Sequence, residues 1–213
     1  MRLILIGYGV VAQSLTKILT VRKQEILKRH KMHPRVVAIV DRGGLALNPK
    51  GLDLEKVEAT KKKYGSVAAI PEYGSPGKTA QDIIENLDAE VVIESTPTNL
   101  NSGEPGMSHM EEALKAGKNV VTVNKGPLAL ALPALSEMAT YNDVHLRFGG
   151  TVGGGTPILD FGKKCLSFDK LIAIEGILNG STNYMLTEME QHGTTFEEAL
   201  SEAQEKGYAE ADP

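Results

Sequence analysis

The sequence predicts an α/β fold, a doubly wound parallel sheet followed by a smaller α+β region, and three observations carry that expectation. Four short runs, RLILIG (2–7), RVVAIVD (35–41), EVVIES (90–95) and NVVTVN (119–124), are almost continuously apolar and rich in β-branched residues. Strands covered on both faces of a parallel sheet read this way, because neither face meets water. Amphipathic stretches lie between the runs, and strand, helix, strand in repetition is the order that builds a parallel sheet. Finally, the first run passes directly into GYGVVA (7–12), a G-x-G-x-x-A pattern between a strand and a helix.

That pattern is the Rossmann-type dinucleotide fingerprint, and each position has a physical task. Gly7 permits the tight turn, Gly9 lets a pyrophosphate approach the backbone, and Ala12 lets the helix pack closely. The helix then begins at Val10 and Val11, where its N-terminus can hold phosphates. From Val10 to about Lys31 the residues Val11, Leu15, Ile18, Leu19 and Ile26 recur at helical spacing, which predicts one long helix with one apolar face. The second strand ends at Asp41, where an acid can accept from an adenosine ribose hydroxyl and favour NAD. Its neighbour Arg42 can equally hold a 2′-phosphate and favour NADP, and a turn with both side chains in water is the third reading. The KKK run at 61–63 reads as a solvated helix face.

SHMEEALKAG reads as a helix with Ser108 and Glu111 in a capping box and Gly117 as its terminator. The fourth strand runs into Asn124 and Lys125. Ligands of open α/β sheets sit outside the carboxyl ends of the strands, so Lys125 is expected to face the reactive end of a cofactor. A lysine there can stabilise a developing alkoxide or pass a proton; an exposed turn lysine is the plain alternative.

The texture changes near residue 140, which predicts a dinucleotide-binding domain over 1–140 and a substrate and dimerisation region over 141–213. The glycines of GGTVGGGTPILDF (149–161) have Val152 embedded among them, which suggests a fixed backbone crossing rather than a linker. KLIAIEGIL (170–178) alternates and reads as a strand of a second sheet. NGSTNY (179–184) reads as a turn with Ser181 capping the next helix, Thr195 with Glu198 as a further capping box, and Gly207 as a helix stop.

The 213 residues are 41% hydrophobic and 23% charged with a formal net charge of -4, ordinary globular statistics without the basic stripe that a nucleic-acid partner requires. The single cysteine, Cys165, excludes an internal disulfide and a cysteine-based zinc site. Its setting, KKCLSF, suggests packing rather than nucleophilic catalysis. The opening LILI run is too short for a signal or a membrane span, so a cytoplasmic location is expected.

VVTVNKGPLAL, GGTVGGGTPIL, EGILNGSTNYML and AQEKGYAEADP, in this order behind the fingerprint, resemble homoserine dehydrogenase across essentially the whole chain. The resemblance implies reversible reduction of L-aspartate 4-semialdehyde to L-homoserine by NADH or NADPH, on the route to threonine and methionine. It implies that Lys125 lies near nicotinamide and substrate, that Thr96 and Gly207 contact the cofactor, and that Glu210 binds the substrate ammonium. The start of the NGSTNY helix, with Asn179 and Thr182, is expected to help line the substrate site. It further implies a homodimer formed through the second region.

Two departures qualify the resemblance. The family commonly carries a glutamate before its glycine-rich loop as a monovalent-cation ligand. Gly149 stands there, leaving only the carbonyls of Val152 and Gly154. The family also continues past ADP with a second lysine assigned as proton donor, so a longer native chain and weak turnover by these residues alone are expected. The alternatives are another nicotinamide enzyme such as an aspartate dehydrogenase, which needs no GILNGSTNYML segment, and a non-catalytic nucleotide sensor of the same fold.

Overall fold

The computed structural model describes residues 1–209 and divides into two compact units, Met1–Thr151 and the residues from Val152 onward. In the first unit the elements run β1 (Arg2–Ile6), α1 (Val10–Val21), α2 (Lys23–His30), β2 (Arg35–Asp41), β3 (Gly44–Leu47), α3 (Leu54–Tyr64), β4 (Gly74–Pro76), β5 (Val91–Glu94), α4 (Gly106–Lys115), β6 (Asn119–Thr122), α5 (Lys125–Tyr141) and β7 (Leu146–Arg147). They form one seven-stranded sheet in the order β4-β3-β2-β1-β5-β6-β7. The five strands from β2 to β7 are parallel, while β3 and β4 extend the β2 edge as antiparallel neighbours. The chain leaves β1 for β2 on one side and returns through β5 on the other, so the strand order reverses between β1 and β5.

The apolar runs are continuous because both faces of the sheet are covered. In β1, Leu3 and Leu5 pack on one side with Ala12 of α1 and Val57 of α3. Ile4 and Ile6 pack on the other side with Met110 and Leu114 of α4 and Leu135 of α5.

The single long helix expected from Val10 to Lys31 is two helices, broken at Arg22, whose φ of -95° and ψ of 15° leave the helical region. Twelve residues at about 1.5 Å rise already cross the length of β1, so the chain beyond Val21 has no sheet to cover. Accordingly α2 buries no residue. α4 starts at Gly106 rather than at Ser108, so the expected capping box does not form. Ser108 instead donates to Glu104, and Glu111 pairs with Lys115 one turn on. α5 bends at Ala131, two residues before Pro133, whose missing N–H interrupts the helical ladder.

β7 joins the sheet beside β6, so residues 141–151 keep company with the first unit in space. The second unit contains a short helical turn α6 (Ile158–Asp160) and the helices α7 (Gly180–His192) and α8 (Phe196–Glu205). Met185 of α7 packs against Ala199 and Ala203 of α8. The Thr195 and Glu198 capping box forms as the sequence predicts, and Gly207 follows α8 with a φ of +73°.

KLIAIEGIL does not form a strand: residues 170–178 have no regular structure, and Ile172 is 93% exposed. A strand exists only through its ladder to a second strand, and none pairs with it among the described residues. Cys165 is exposed, which removes the packing role expected of it.

Candidate functional site

The carboxyl ends of β1, β5 and β6 form the crevice at the point where strand order reverses, the place where open α/β sheets take ligands. Gly7 lies at its floor. Its N–H donates to Val40 O at 2.9 Å, and its carbonyl accepts from Ser95 Oγ at 3.1 Å. Its φ is +88°, and a Cβ there would stand 2.6 Å from Ser95 O and 2.9 Å from Thr96 N. Only glycine fits.

Gly9 differs in kind. Its φ is -87°, and a Cβ would meet nothing within 4 Å. The space over it is open, as the approach of a pyrophosphate requires. No side chain caps α1 and no acid occupies its first turn, while Val10 and Val11 at its start are exposed. Partial positive charge therefore faces the opening without internal compensation. These three observations fit a dinucleotide phosphate.

Asp41 itself is neither open to a ribose nor set in water. Its side chain is only 4% exposed. It accepts from Lys61 Nζ at 2.8 Å, Ser66 Oγ at 2.8 Å, Val67 N at 2.9 Å and Gly43 N at 2.9 Å. Lys61 is thus an ion-pair partner rather than part of a solvated face. Burial pushes the Asp41 carboxyl up, but the Lys61 ammonium, the Val67 N–H, the Ser66 hydroxyl and the Gly43 N–H outweigh it and hold the carboxyl below its ordinary value. Arg42 is exposed.

A lowered folded-state value means that Asp41 stabilises the fold above the unfolded carboxyl pKa of about 3.9 and loses that contribution as pH falls through the folded value. Asp41→Asn is therefore expected to cost about 1.5–3 kcal/mol at neutral pH. Its stability should also fall less steeply below about pH 4 than that of the unsubstituted chain. Urea denaturation at pH 7 and at pH 3 measures both, and equal losses at the two pH values would contradict the assignment.

On the other side of the crevice, Thr96 follows β5 and Lys125 opens α5. Asn124 caps α5, its side chain accepting from Gly126 N at 3.1 Å. The Lys125 backbone N–H reaches Thr98 Oγ1 at 3.4 Å. The Lys125 side chain is exposed and, among the described residues, makes no hydrogen bond or ion pair. Two further residues carry no motif and were not singled out by sequence. Glu94, wholly buried at the end of β5, accepts from Thr96 N at 2.7 Å and from the Thr96 hydroxyl, and lies 2.7 Å from His109 Nδ1. The available signal was a charged residue inside an apolar strand run and a histidine on the apolar face of a helix.

In the second unit Asn179, not Ser181, caps α7: its Oδ1 accepts from Thr182 N at 2.9 Å and lies 3.2 Å from Thr182 Oγ1. Ser181 donates instead to the carbonyl of Tyr208. Asparagine offers the better placed acceptor because the helix begins at Gly180, two residues earlier than a Ser181 cap would allow. Gly180, Ser181 and Asn183 of α7 border a cleft of about 540 Å³ with Gly207, Tyr184 and Tyr208, whereas Asn179 and Thr182 are not among the residues that line it. Lys206 Nζ donates to the Tyr184 hydroxyl at 2.8 Å, and Glu202 pairs with Lys206 at 2.6 Å. Val152 and Gly154 lie in the turn that opens this unit. Glu210 lies outside the described residues. Among the described residues no group of three or more His, Cys, Asp or Glu could hold a metal ion, and no helix is long and apolar enough to cross a membrane.

A family model for the homoserine dehydrogenase NAD binding domain matches residues 7–149, and one for homoserine dehydrogenase matches residues 157–213. A homoserine dehydrogenase of Methanocaldococcus jannaschii is 43% identical over the whole chain, which spans 63% of that relative. An NAD(+)-dependent homoserine dehydrogenase of Pseudomonas canavaninivorans is 37% identical, again over the whole chain and 60% of the relative. Among solved structures, a hyperthermophilic archaeal homoserine dehydrogenase in complex with NADPH superposes with a TM-score of 0.85 at 26% identity, covering all of this chain and 63% of that one. The chain thus spans about three fifths of the length of these relatives.

Proposed function

The chain belongs to the homoserine dehydrogenase family, and from that premise we propose that it binds NADP(H) or NAD(H) in the β1–β5 crevice and that the whole protein interconverts L-aspartate 4-semialdehyde and L-homoserine. The observation that carries the reading is the pairing of an uncapped α1 start over Gly9 with a lysine at the head of α5, just after β6, that has no hydrogen-bond or ion-pair partner among the described residues. The nicotinamide, when bound, gives or takes the hydride. The chain's own groups do the rest. Val10 and Val11 offer backbone N–H groups to the pyrophosphate, and Thr96 contacts the cofactor beyond β5. The Lys125 ammonium neutralises charge that develops on the substrate oxygen. The family resemblance assigns Glu210 to the substrate ammonium, Asn179 and Thr182 to the substrate site, and Gly207 to the cofactor.

Residues 1–140 carry the cofactor in this reading, and residues 141–213 contribute the substrate side and a homodimer contact in a cytoplasmic enzyme of threonine and methionine synthesis. A monovalent cation would have only the carbonyls of Val152 and Gly154, because Gly149 supplies no carboxylate. Since all the Asp41 contacts are internal, Arg42 is the residue left to discriminate between coenzymes, which favours NADP(H). Titrating the chain with NADPH and with NADH, followed by reduced-nicotinamide fluorescence, tests the reading. Binding of both with NADPH about tenfold tighter is expected. Binding of neither refutes the dinucleotide site, and equal binding refutes the role of Arg42. Homoserine-dependent reduction of NADP+ at alkaline pH by the whole protein tests the reaction.

A further inference from the structure

Glu94 is a carboxylate with no exposed surface at the end of the otherwise apolar strand β5, opposite Ile6 on β1 and Thr122 on β6. Burying it costs several kcal/mol unless every lone pair is engaged, and an apolar residue would fill the same space without that cost. Its engagements are all at the cofactor side of the sheet or lead there. Oε2 meets His109 Nδ1 at 2.7 Å, and His109 is itself only 5% exposed on α4. Oε1 accepts from the Thr96 N–H and hydroxyl and lies 3.5 Å from Asn124 Nδ2. Asn124 Nδ2 also reaches Thr96 Oγ1 at 3.2 Å, and a Cβ on Gly106 at the head of α4 would stand 2.5 Å from that nitrogen.

The network fixes a hydrogen-bond polarity. The Thr96 hydroxyl has one proton, which goes to Glu94, and it accepts from Asn124. What it can still offer the crevice is a lone pair. The nicotinamide end of a dinucleotide presents donors, the carboxamide N–H and the ribose hydroxyls, so an acceptor-only hydroxyl matches it. The same amide that donates to Thr96 uses its oxygen to cap the helix that Lys125 opens.

We propose that Glu94 and His109 are positioning residues for the nicotinamide end of the cofactor, a buried carboxylate–imidazole pair that makes Thr96 an acceptor and holds Asn124, and through it the start of α5, in place. This rests on the dinucleotide reading above. The test compares NADPH with ADP-ribose, which has the pyrophosphate and adenosine but no nicotinamide, in binding titrations of the chain. Glu94→Gln keeps the volume but places an amide where acceptors are needed, and it should weaken NADPH about tenfold while leaving ADP-ribose unchanged. Thr96→Val should do the same. The double variant should be no worse than either single one, because both remove one interaction. His109→Gln, whose amide still donates to Glu94, should stay within about threefold of the unsubstituted chain, whereas His109→Leu should match Glu94→Gln. The histidine pair decides the matter if Glu94→Gln does not fold. Equal NADPH binding by the unsubstituted chain and the variants overturns the inference and leaves the dinucleotide site standing. Parallel loss of ADP-ribose binding, the mark of a merely structural role, also overturns it. Failure of the unsubstituted chain to bind either ligand overturns the dinucleotide reading and the inference with it.

Discussion

Replacing Lys125 with alanine is expected to lower the rate of hydride transfer by about 10²–10³-fold while leaving the fold as stable as before, or slightly more stable. The two halves of the expectation come from one fact of position. Lys125 is the first residue of the seventeen-residue helix α5, so its cation sits at the positive end of the helix dipole. That placement is unfavourable by about 0.3–1 kcal/mol at an exposed site, and no carboxylate in the first turn offsets it. Among the described residues the side chain makes no hydrogen bond or ion pair that would explain its presence there. A charge held against the local field with no partner among the described residues is available to a ligand, and in the proposed reaction an alkoxide developing there would need it.

Lys125→Arg keeps the charge but replaces a compact ammonium that can move a proton with a planar group that cannot, so it separates two roles. Near-normal turnover by the arginine variant would assign Lys125 to electrostatic stabilisation, and loss comparable to alanine would assign it to proton transfer. Homoserine oxidation followed by nicotinamide absorbance, with thermal melts of each variant, gives the result. Unchanged rates in Lys125→Ala would remove the residue from the site.

What was legible in the sequence is what local chemistry decides. The parallel strands announce themselves because both faces are covered, and Gly7 and Gly9 announce the turn because their spacing is bounded by a strand and a helix. The antiparallel strands β3 and β4 are too short to show a period, and the break at Arg22 is invisible because helical periodicity continues through it to Ile26. KLIAIEGIL failed for the opposite reason: alternation states which faces a strand would have, but not whether a second strand is there to pair with it. Side-chain partnership was the least legible level. Three of the four groups that occupy Asp41 arrive 20 to 26 residues later, from α3 and the turn after it. Glu94 and His109, 15 residues apart, meet only because α4 crosses back over β5. The fingerprint marks where a cofactor would lie, whereas the groups that hold its surroundings in place are set by tertiary structure.

The two glycines of the fingerprint provide the sharpest separation of fold from ligand, because the same substitution has opposite consequences at positions two residues apart. In Gly7→Ala the new methyl would be driven into Ser95 O and C and Thr96 N, at a φ of +88° that an alanine adopts only with strain. The left-handed backbone costs about 1–2 kcal/mol and the overpacking about 1–3 kcal/mol, and the obstructing atoms are backbone of β5's exit, which cannot rotate away. Gly7→Ala is therefore expected to lower stability by about 2–5 kcal/mol and to lose cofactor binding with it. In Gly9→Ala the backbone is already in a region open to any residue and the methyl meets nothing. That variant should melt with the unsubstituted chain yet bind NADPH at least about tenfold more weakly, since its methyl occupies the space through which a pyrophosphate approaches the α1 N-terminus. Denaturation curves and NADPH titrations of the two variants side by side measure both effects. A destabilised Gly9→Ala would mean that the open space is not preserved in solution. A stable Gly9→Ala with undiminished affinity would mean that the phosphates lie elsewhere, and the crevice between β1 and β5 would lose its claim to the cofactor.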